Sequence, residues 1–120
     1  MESKLTENIK FESFMDSVPG IIYIFNKEGY IVAWNKKAEE IYEYSHEEMK
    51  GKHILDFIDS PDRDKVDQSI HNVFKYGYDQ VENIAVTKSG KKIPYLGSGK
   101  MIIVDGEEYL LGFSTDISEL

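Results

Sequence analysis

The sequence predicts an α+β fold, in which helices cover one face of a five-stranded antiparallel sheet and a further helix precedes it. Three observations carry this prediction. Two short apolar runs near the N-terminus flank a tight turn, three strand-like runs follow one another at the C-terminus, and the segments between them have helical spacing. A hairpin and a three-stranded meander close most simply into one sheet, with the intervening helices on a shared face.

The N-terminal segment predicts a helix that ends at a Pro-Gly pair. Its apolar residues Leu5, Ile9 and Phe11 recur at nearly helical spacing. Proline and glycine terminate helices because one lacks a donor and the other accepts left-handed backbone. We therefore divide the chain into a flanking helix, residues 1–18, and a domain, residues 19–120.

The next stretch predicts a hairpin followed by a helix. "IIYIF" and "YIVAW" are rich in β-formers, and "NKEG" between them has the glycine that a tight hairpin turn favours. Asn35 then suits a helix N-cap, because its side-chain oxygen can accept from a free backbone N–H. The helix after it has an apolar stripe at Ala38, Ile41 and Tyr42.

Two more helical segments and three strands complete the prediction. Ser45 with Glu48 three residues later forms a capping box, and a longer amphipathic helix ends at Gly77. "QVENIAVT", "IPYLGSGKMIIV" and "EYLLGFSTDI" are the strands of the meander. Pro94 lies in the second of them, and a proline inside a strand predicts an edge position or a bulge.

Composition limits the functions that this chain can have. Its 120 residues suit one domain, and the absence of cysteine excludes disulfides, thiolate metal sites and cysteine nucleophiles. A formal charge of -8 repels phosphate backbones and anionic membranes, so we expect neither nucleic-acid binding nor direct membrane contact. The N-terminus lacks a signal-peptide core and no apolar run is long enough to span a bilayer, so the expected location is cytoplasmic.

Taken together and in order, several stretches resemble the PAS domain family. They are "EGYIVAWNKKAEEIYEY", the Gly-Lys pair before "HILDF", "SGKKIP" and the terminal "TDIS", and the resemblance extends over about residues 11–118. It implies the fold described above, with a central cavity between the sheet and the helices. It also implies a sensory module of a signalling protein such as a sensor histidine kinase in a two-component system, with an effector domain C-terminal to it.

The resemblance implies that a small molecule, if one binds, occupies that cavity. Apolar side chains at the expected inward positions, with Ser98, Thr115 and Tyr42 as polar groups, are the candidates. Trp34 is either part of the cavity wall or a plain core aromatic, and the same apolar residues could equally fill the space. The candidate lining residues are Ile22, Ile24, Val32, Trp34, Ala38, Ile41, Tyr42, Ile54, Phe57, Val66, Ile70, Phe74, Ile84, Val86, Leu96, Ser98, Leu111, Phe113 and Thr115.

Cofactor and output expectations follow from single positions. Flavin photoreceptors of the family have a reactive cysteine where this chain has Ile54, so cysteinyl-flavin chemistry is excluded. A haem ligand would fall near Val66, and His71 lies about 140° further round that helix. The sequence requires neither cofactor, and it predicts no metal site. Thr115, Asp116 and Ile117 resemble the element that joins the last strand to an output helix.

Two alternatives to a ligand sensor remain open at this point. One is an interaction module with a filled core, which forms a homodimer through the N-terminal helix. The other is a haem- or flavin-binding sensor. The sequence has no nucleophile–base set, phosphate loop or paired metal-ligand motif, so we expect no catalysis in this segment.

Overall fold

In the computed structural model, residues 4–119 are described, with side chains from residue 10 onward. The chain forms α1 (Lys4–Ser17), β1 (Ile21–Asn26), β2 (Ile31–Trp34), α2 (Lys36–Tyr42), α3 (His46–Met49), a first 3₁₀ helix (Ile54–Phe57), a second (Ser60–Asp62), α4 (Arg63–Tyr76), β3 (Tyr78–Val86), β4 (Lys92–Val104) and β5 (Glu107–Asp116). The predicted order of elements is confirmed. The side chains of Leu5 and Ile9, predicted to contribute to a dimer face, lie outside the described residues.

The five strands form one antiparallel sheet in the order β2-β1-β5-β4-β3. β5 therefore lies between the hairpin and the other two meander strands, and its pairing with β1 joins the two halves of the chain. The α+β prediction is confirmed. The helices between β2 and β3 lie along one face of this sheet, and α4 contacts β3, β4 and β5.

The edge position predicted for Pro94 is wrong, because β4 is an interior strand. Pro94 pairs with Ile84 on β3, but the N–H and C=O of Ile84 bond instead to Asp62 and Asp59. On its other side the Pro94 carbonyl accepts from the N–H of Ile117, just past the end of β5. The missing proline N–H thus faces the very end of the β4–β5 ladder and not its middle, so an interior position is tolerated.

Asn35 does more than cap α2. Its side chain is almost fully buried and makes four hydrogen bonds. Oδ1 accepts from the N–H groups of Ala38 (3.2 Å) and Ile22 (3.4 Å), while Nδ2 donates to the carbonyls of Gly20 (2.9 Å) and Met15 (3.1 Å). One side chain therefore joins the end of α1, the start of β1 and the start of α2.

The core lies between the helices and the inner face of the sheet. Phe25 and Phe57 are its largest fully buried side chains, and Phe57 stacks on Tyr42 with ring centroids 4.6 Å apart. Gly112 is required by this packing, because a Cβ there would lie 2.2 Å from the Tyr23 ring. Tyr23 thus lies flat against the β5 backbone.

The β3–β4 turn is fastened to the helical layer by charged side chains. The Glu43 carboxylate accepts from the Ser89 hydroxyl (2.6 Å) and N–H (3.0 Å), and Lys88 pairs with Glu48 at 2.6 Å. The Lys88 N–H also donates to the Tyr42 carbonyl at 3.0 Å. These contacts hold the turn against α2, the helix that carries Tyr42.

Candidate ligand cavity

A small cavity lies between α4, the first 3₁₀ helix and the inner face of the sheet. Its volume is about 40 Å³, which is room for a few water-sized groups. Helical residues form one wall and residues of β1, β3, β4 and β5 form the other. The lining residues are Tyr23, Phe25, Tyr42, Ile54, Ile58, Val66, Ser69, Ile70, Val73, Asp79, Val81, Asn83, Gly97, Ser98, Gly99, Leu110 and Ser114.

Hydroxyl groups gather at the β1–β5 side of the cavity. The Tyr23 and Ser114 hydroxyls lie 3.2 Å apart and share a hydrogen bond, and Ser114 also interacts with the Tyr42 hydroxyl. Burial raises the pKa of both tyrosines, and the neighbouring Tyr23 and Tyr95 raise that of Tyr42 further. Both phenols therefore stay protonated at any physiological pH, so each can donate as well as accept a hydrogen bond.

One carboxylate lies at the α4–β3 side. The Oδ2 atom of Asp79 accepts from the Ser69 hydroxyl at 2.9 Å and from the Asn72 amide at 3.1 Å. These bonds, with a backbone N–H of Gln80, lower the pKa of Asp79, so it is ionised at neutral pH. Among the described residues that line the cavity, none is basic. The charge of Asp79 is therefore not matched by a cationic side chain in the wall.

The structure brings only part of the predicted set into the cavity. Tyr42, Ile54, Val66, Ile70 and Ser98 line it, although the Ser98 hydroxyl accepts from Gln80, which pairs with it across the β3–β4 ladder. Ala38, Ile41, Phe57 and Phe74 belong to the core around the cavity rather than to its lining.

The strand residues of the predicted set, apart from Ser98, are corrected. They alternate along their strands with the residues that line the cavity, so they lie on the opposite face of the sheet. The side chains of Val32 (50%) and Phe113 (41%) are exposed. The positions that face the cavity are shifted by one residue along each strand from those predicted. The residues moved to the outer face are Ile22, Ile24, Ile84, Val86, Leu96, Leu111, Phe113 and Thr115, while Val32 lies at the β-bulge of the hairpin.

The face was misassigned because the outward positions of these strands are at least as apolar as the inward ones. In β1, "IIYIF" offers a hydrophobic residue at every position, so alternation cannot select a face. The true inner face also carries Asn83 and Ser114 and the three glycines of β4 and β5, which a hydrophobicity pattern does not pick out. These small and polar residues occupy alternate positions along their strands, and this alternation is the feature of the sequence that indicates the inner face.

Trp34 is likewise outside the cavity. It lies with Phe11 and His46 in a cleft between α1 and the body of the domain. The Trp34 indole donates to Glu39 at 2.8 Å, and the same carboxylate oxygen lies 3.1 Å from the Nδ1 atom of His46. Trp34 thus anchors the start of α2 from outside, and it is not a cavity wall residue.

The histidines are also outside the cavity. His71 is on the exposed side of α4, with Nδ1 2.8 Å from the Asp67 carbonyl, while Val66 of the same helix lines the cavity. Its position therefore does not suit an axial haem ligand in that cavity. Among residues 10–119, whose side chains are described, no group of three or more His, Asp or Glu residues is arranged to hold a metal ion.

The predicted output element follows the cavity wall directly. Ser114 lines the cavity, and Thr115 and Asp116 end the same strand. Asp116 accepts from the Ser118 N–H at 2.8 Å, and the hydroxyl and N–H of Ser118 lower its pKa. The Ile117 N–H bonds to the Pro94 carbonyl at 3.1 Å. This segment is therefore attached to β4 as it leaves the sheet.

An antiparallel sheet, a layer of short helices over one face and a cavity between them define a small α+β module. The chain belongs to the PAS domain family, whose model matches residues 19–119. PAS domains are sensory and signalling modules rather than catalysts. Within the described part of the chain, no helix is long and apolar enough to cross a membrane.

Solved structures share this fold at low sequence identity. The PAS domain of an HTR-like protein from Haloarcula marismortui superposes with a TM-score of 0.81 at 18% identity, covering 94% of this chain and 93% of the other. A PAS domain from Colwellia psychrerythraea gives 0.81 at 23%, covering 98% and 100%. A domain of a sensory box sensor histidine kinase/response regulator from Geobacter sulfurreducens gives 0.74 at 18%, covering 96% and 98%.

Proposed function

We propose that this domain is the input module of a signalling protein and that a small molecule without negative charge, held in the central cavity, is its signal. The observation that carries the proposal is the lining itself, in which protonated tyrosines and the Asp79 carboxylate face a shared space without any basic side chain. Apolar walls with a few convergent polar groups are typical of ligand sites.

The volume limits the size of such a ligand. Sites for drug-sized molecules measure roughly 300 Å³ or more, whereas this cavity measures about 40 Å³. A ligand that fits it therefore has only a few non-hydrogen atoms. An anion is disfavoured, because it would leave water to face Asp79 with no cation to pair with.

Three molecules of nearly the same shape test the charge requirement: acetate, acetamide and acetamidinium. In NMR titrations, we expect acetamide and acetamidinium to shift the amide signals of Asp79, Ser114 and Tyr42, and acetate to leave them unchanged. Asp79→Asn should weaken acetamidinium selectively. Glu82→Gln, which removes the same charge from an exposed position of β3 outside the lining, serves as the matched control. If acetate binds as tightly as acetamidinium, the charge argument is contradicted.

Output is proposed to pass through the end of β5. Ser114 lines the cavity and is followed at once by Thr115, Asp116 and Ile117, so a ligand that moves Ser114 also moves the exit of the sheet. A sensor histidine kinase is the parent we propose, supported by the sensory box kinase among the structural relatives. In this proposal the domain lies in the cytoplasm, and its effector is C-terminal to it.

A second candidate function has its own observation. The cavity is small and α1 exposes Phe11 (46%) and Phe14 (59%), as an interaction module with a filled core would. Here residues 1–18 form the flanking helix of a homodimer and residues 19–120 the domain. Sedimentation of the intact chain against the Phe11→Ser/Phe14→Ser variant tests this, because a concentration-dependent dimer should be lost only in the variant. A monomer in both cases removes this candidate.

A further inference from the structure

His53 joins the β1–β2 turn to the first 3₁₀ helix through both ring nitrogens. Its Nε2 atom lies 2.8 Å from the carbonyl oxygen of Glu28, and its Nδ1 atom lies 3.1 Å from the backbone nitrogen of Leu55. A carbonyl can only accept and a backbone N–H can only donate. The ring must therefore donate from Nε2 and accept at Nδ1, which only the neutral Nε2–H tautomer can do.

The ring is closely packed, and its two hydrogen bonds select its orientation. Gly29 has φ +94°, and a Cβ at this position would lie 2.4 Å from Nε2 of His53. The Tyr30 ring meets the imidazole edge-on, with centroids 5.1 Å apart. The Ile54 N–H donates to the Gly29 carbonyl at 2.8 Å, next to the imidazole. A rotated ring would place carbon atoms against Glu28 and Leu55 and lose both hydrogen bonds.

His53 is also the N-cap of a helix that forms part of the cavity wall. Its Nδ1 satisfies the Leu55 N–H, and its own N–H donates to the Asp56 carboxylate at 3.0 Å. The 3₁₀ helix then places Ile54 in the cavity lining and Phe57 against Tyr42. The state of one imidazole is thus connected to the geometry of the wall.

We propose that His53 is a proton-operated latch on the cavity wall. When the ring takes up a second proton, at Nδ1, the new N–H faces the N–H of Leu55. The hydrogen bond that caps the helix is then replaced by a repulsive contact between two donors. The 3₁₀ helix then loses its N-cap, and Ile54 and Phe57 gain freedom to move. The domain therefore responds to acidification, and this response does not depend on which ligand the cavity takes.

Charges of both signs surround the ring. Three carboxylates, two lysines and a second histidine are among the neighbouring groups. The Tyr30 hydroxyl is the other titratable group beside the ring. The charged and titratable groups that face the latch are Lys27 and Glu28 in the turn, Tyr30 at its end, Lys52 and Asp56 beside His53, and Asp67 and His71 on α4 across a shared cleft.

The test is an NMR titration of the isotope-labelled domain over pH 8 to 5, the range in which imidazoles change charge. Nitrogen-15 shifts of the rings show which nitrogen carries a proton, and amide exchange corrected for its intrinsic pH dependence reports the Leu55 bond. We expect His53 to start as the Nε2–H tautomer. As it is protonated, protection of the Leu55 amide should fall about tenfold, the loss of roughly one hydrogen bond.

Two substitutions separate the latch from general acid effects. His53→Asn keeps an acceptor near the position of Nδ1 but cannot titrate, so its Leu55 protection should not change with pH. His71→Gln removes an exposed imidazole from the same cleft and should behave as the unaltered chain does. The proposal is overturned if His53 acquires its second proton while Leu55 stays protected, or if His53→Asn shows the same fall. Should His53→Asn fail to fold, the ring and Leu55 signals of the unaltered chain decide alone.

Discussion

Replacing Asn35 by alanine should destabilise the domain far more than the loss of an ordinary helix cap. The substitution leaves the Met15 and Gly20 carbonyls and the Ile22 N–H without the partner that Asn35 provides, in a site that is 1% exposed. At about 1 kcal/mol for each group, with about 1 kcal/mol for the cap itself, the expected loss is about 4 kcal/mol. Urea unfolding followed by the fluorescence of Trp34, the only tryptophan, measures it.

Ser45→Ala is the matched control for this prediction. Ser45 also caps a helix by accepting from a backbone N–H, that of Glu48 at 3.2 Å, but it is exposed to solvent. Its loss should cost about 1 kcal/mol. Asn35→Asp distinguishes the contributions of Oδ1 and Nδ2 to stability. It retains the acceptor Oδ1 but replaces the donor Nδ2 with an oxygen that faces two carbonyls. Equal costs for Asn35→Ala and Ser45→Ala would refute the claim that burial and multiple partners set the size of the effect.

Two further predictions concern packing and acid. Gly112→Ala should lower the free energy of unfolding by about 3 kcal/mol, because it forces the buried Tyr23 ring to move. Gly51→Ala, where only the backbone is strained, should lower it by about 1 kcal/mol. Similar losses for the two variants in urea unfolding would contradict the close-contact argument. The Ser89 hydroxyl, together with the Thr87 hydroxyl and the Ser89 N–H, lowers the pKa of Glu43 to about 2. These contacts therefore stabilise the fold above the ordinary glutamate pKa of about 4.5, and their contribution is lost as pH falls from there toward 2. Glu43→Gln should flatten that part of the stability–pH curve, and an unchanged curve would rule these contacts out as a source of acid sensitivity.

The sequence was sufficient for the elements of the fold because local signals agreed with one another. The turn before Tyr30, the capping box at Ser45 and the Gly77 stop all have their predicted geometry in the structure, with Gly77 at φ +94°. Pro94 is the exception. Its rule assumes that every interior N–H has a ladder partner, and whether one exists depends on where β5 ends, which is a tertiary fact.

The cavity was harder to predict because it depends on the face of each strand rather than on its existence. A one-residue change of phase reverses every inward position. In β1 both phases look hydrophobic, and in β5 the outward phase, with Leu111 and Phe113, is more hydrophobic than the inward phase, with Gly112 and Ser114. Asn35 shows the same limit on a smaller scale. Its role as a cap follows from its place before a helix, but its bonds to Met15 and Gly20 require α1 to be folded back against the domain.

A single secondary-structure element connects the cavity to α1 on one side and to the C-terminal end of the sheet on the other. α2 is capped by Asn35, which is bonded to the end of α1, and ends at Tyr42, whose side chain lines the cavity. At 1.5 Å per residue these two residues are about 10 Å apart along the helix. β5 carries Ser114 in the same cavity and leads directly to Asp116. Because Ser114 interacts with Tyr42, a ligand that separates these two hydroxyls acts on α2 and β5 at once. A ligand-induced change at α1 should therefore accompany a change at the end of β5. Asn35→Ala should abolish the change at α1, because it removes the side-chain bond between the cap of α2 and α1, and should leave the change at β5 intact.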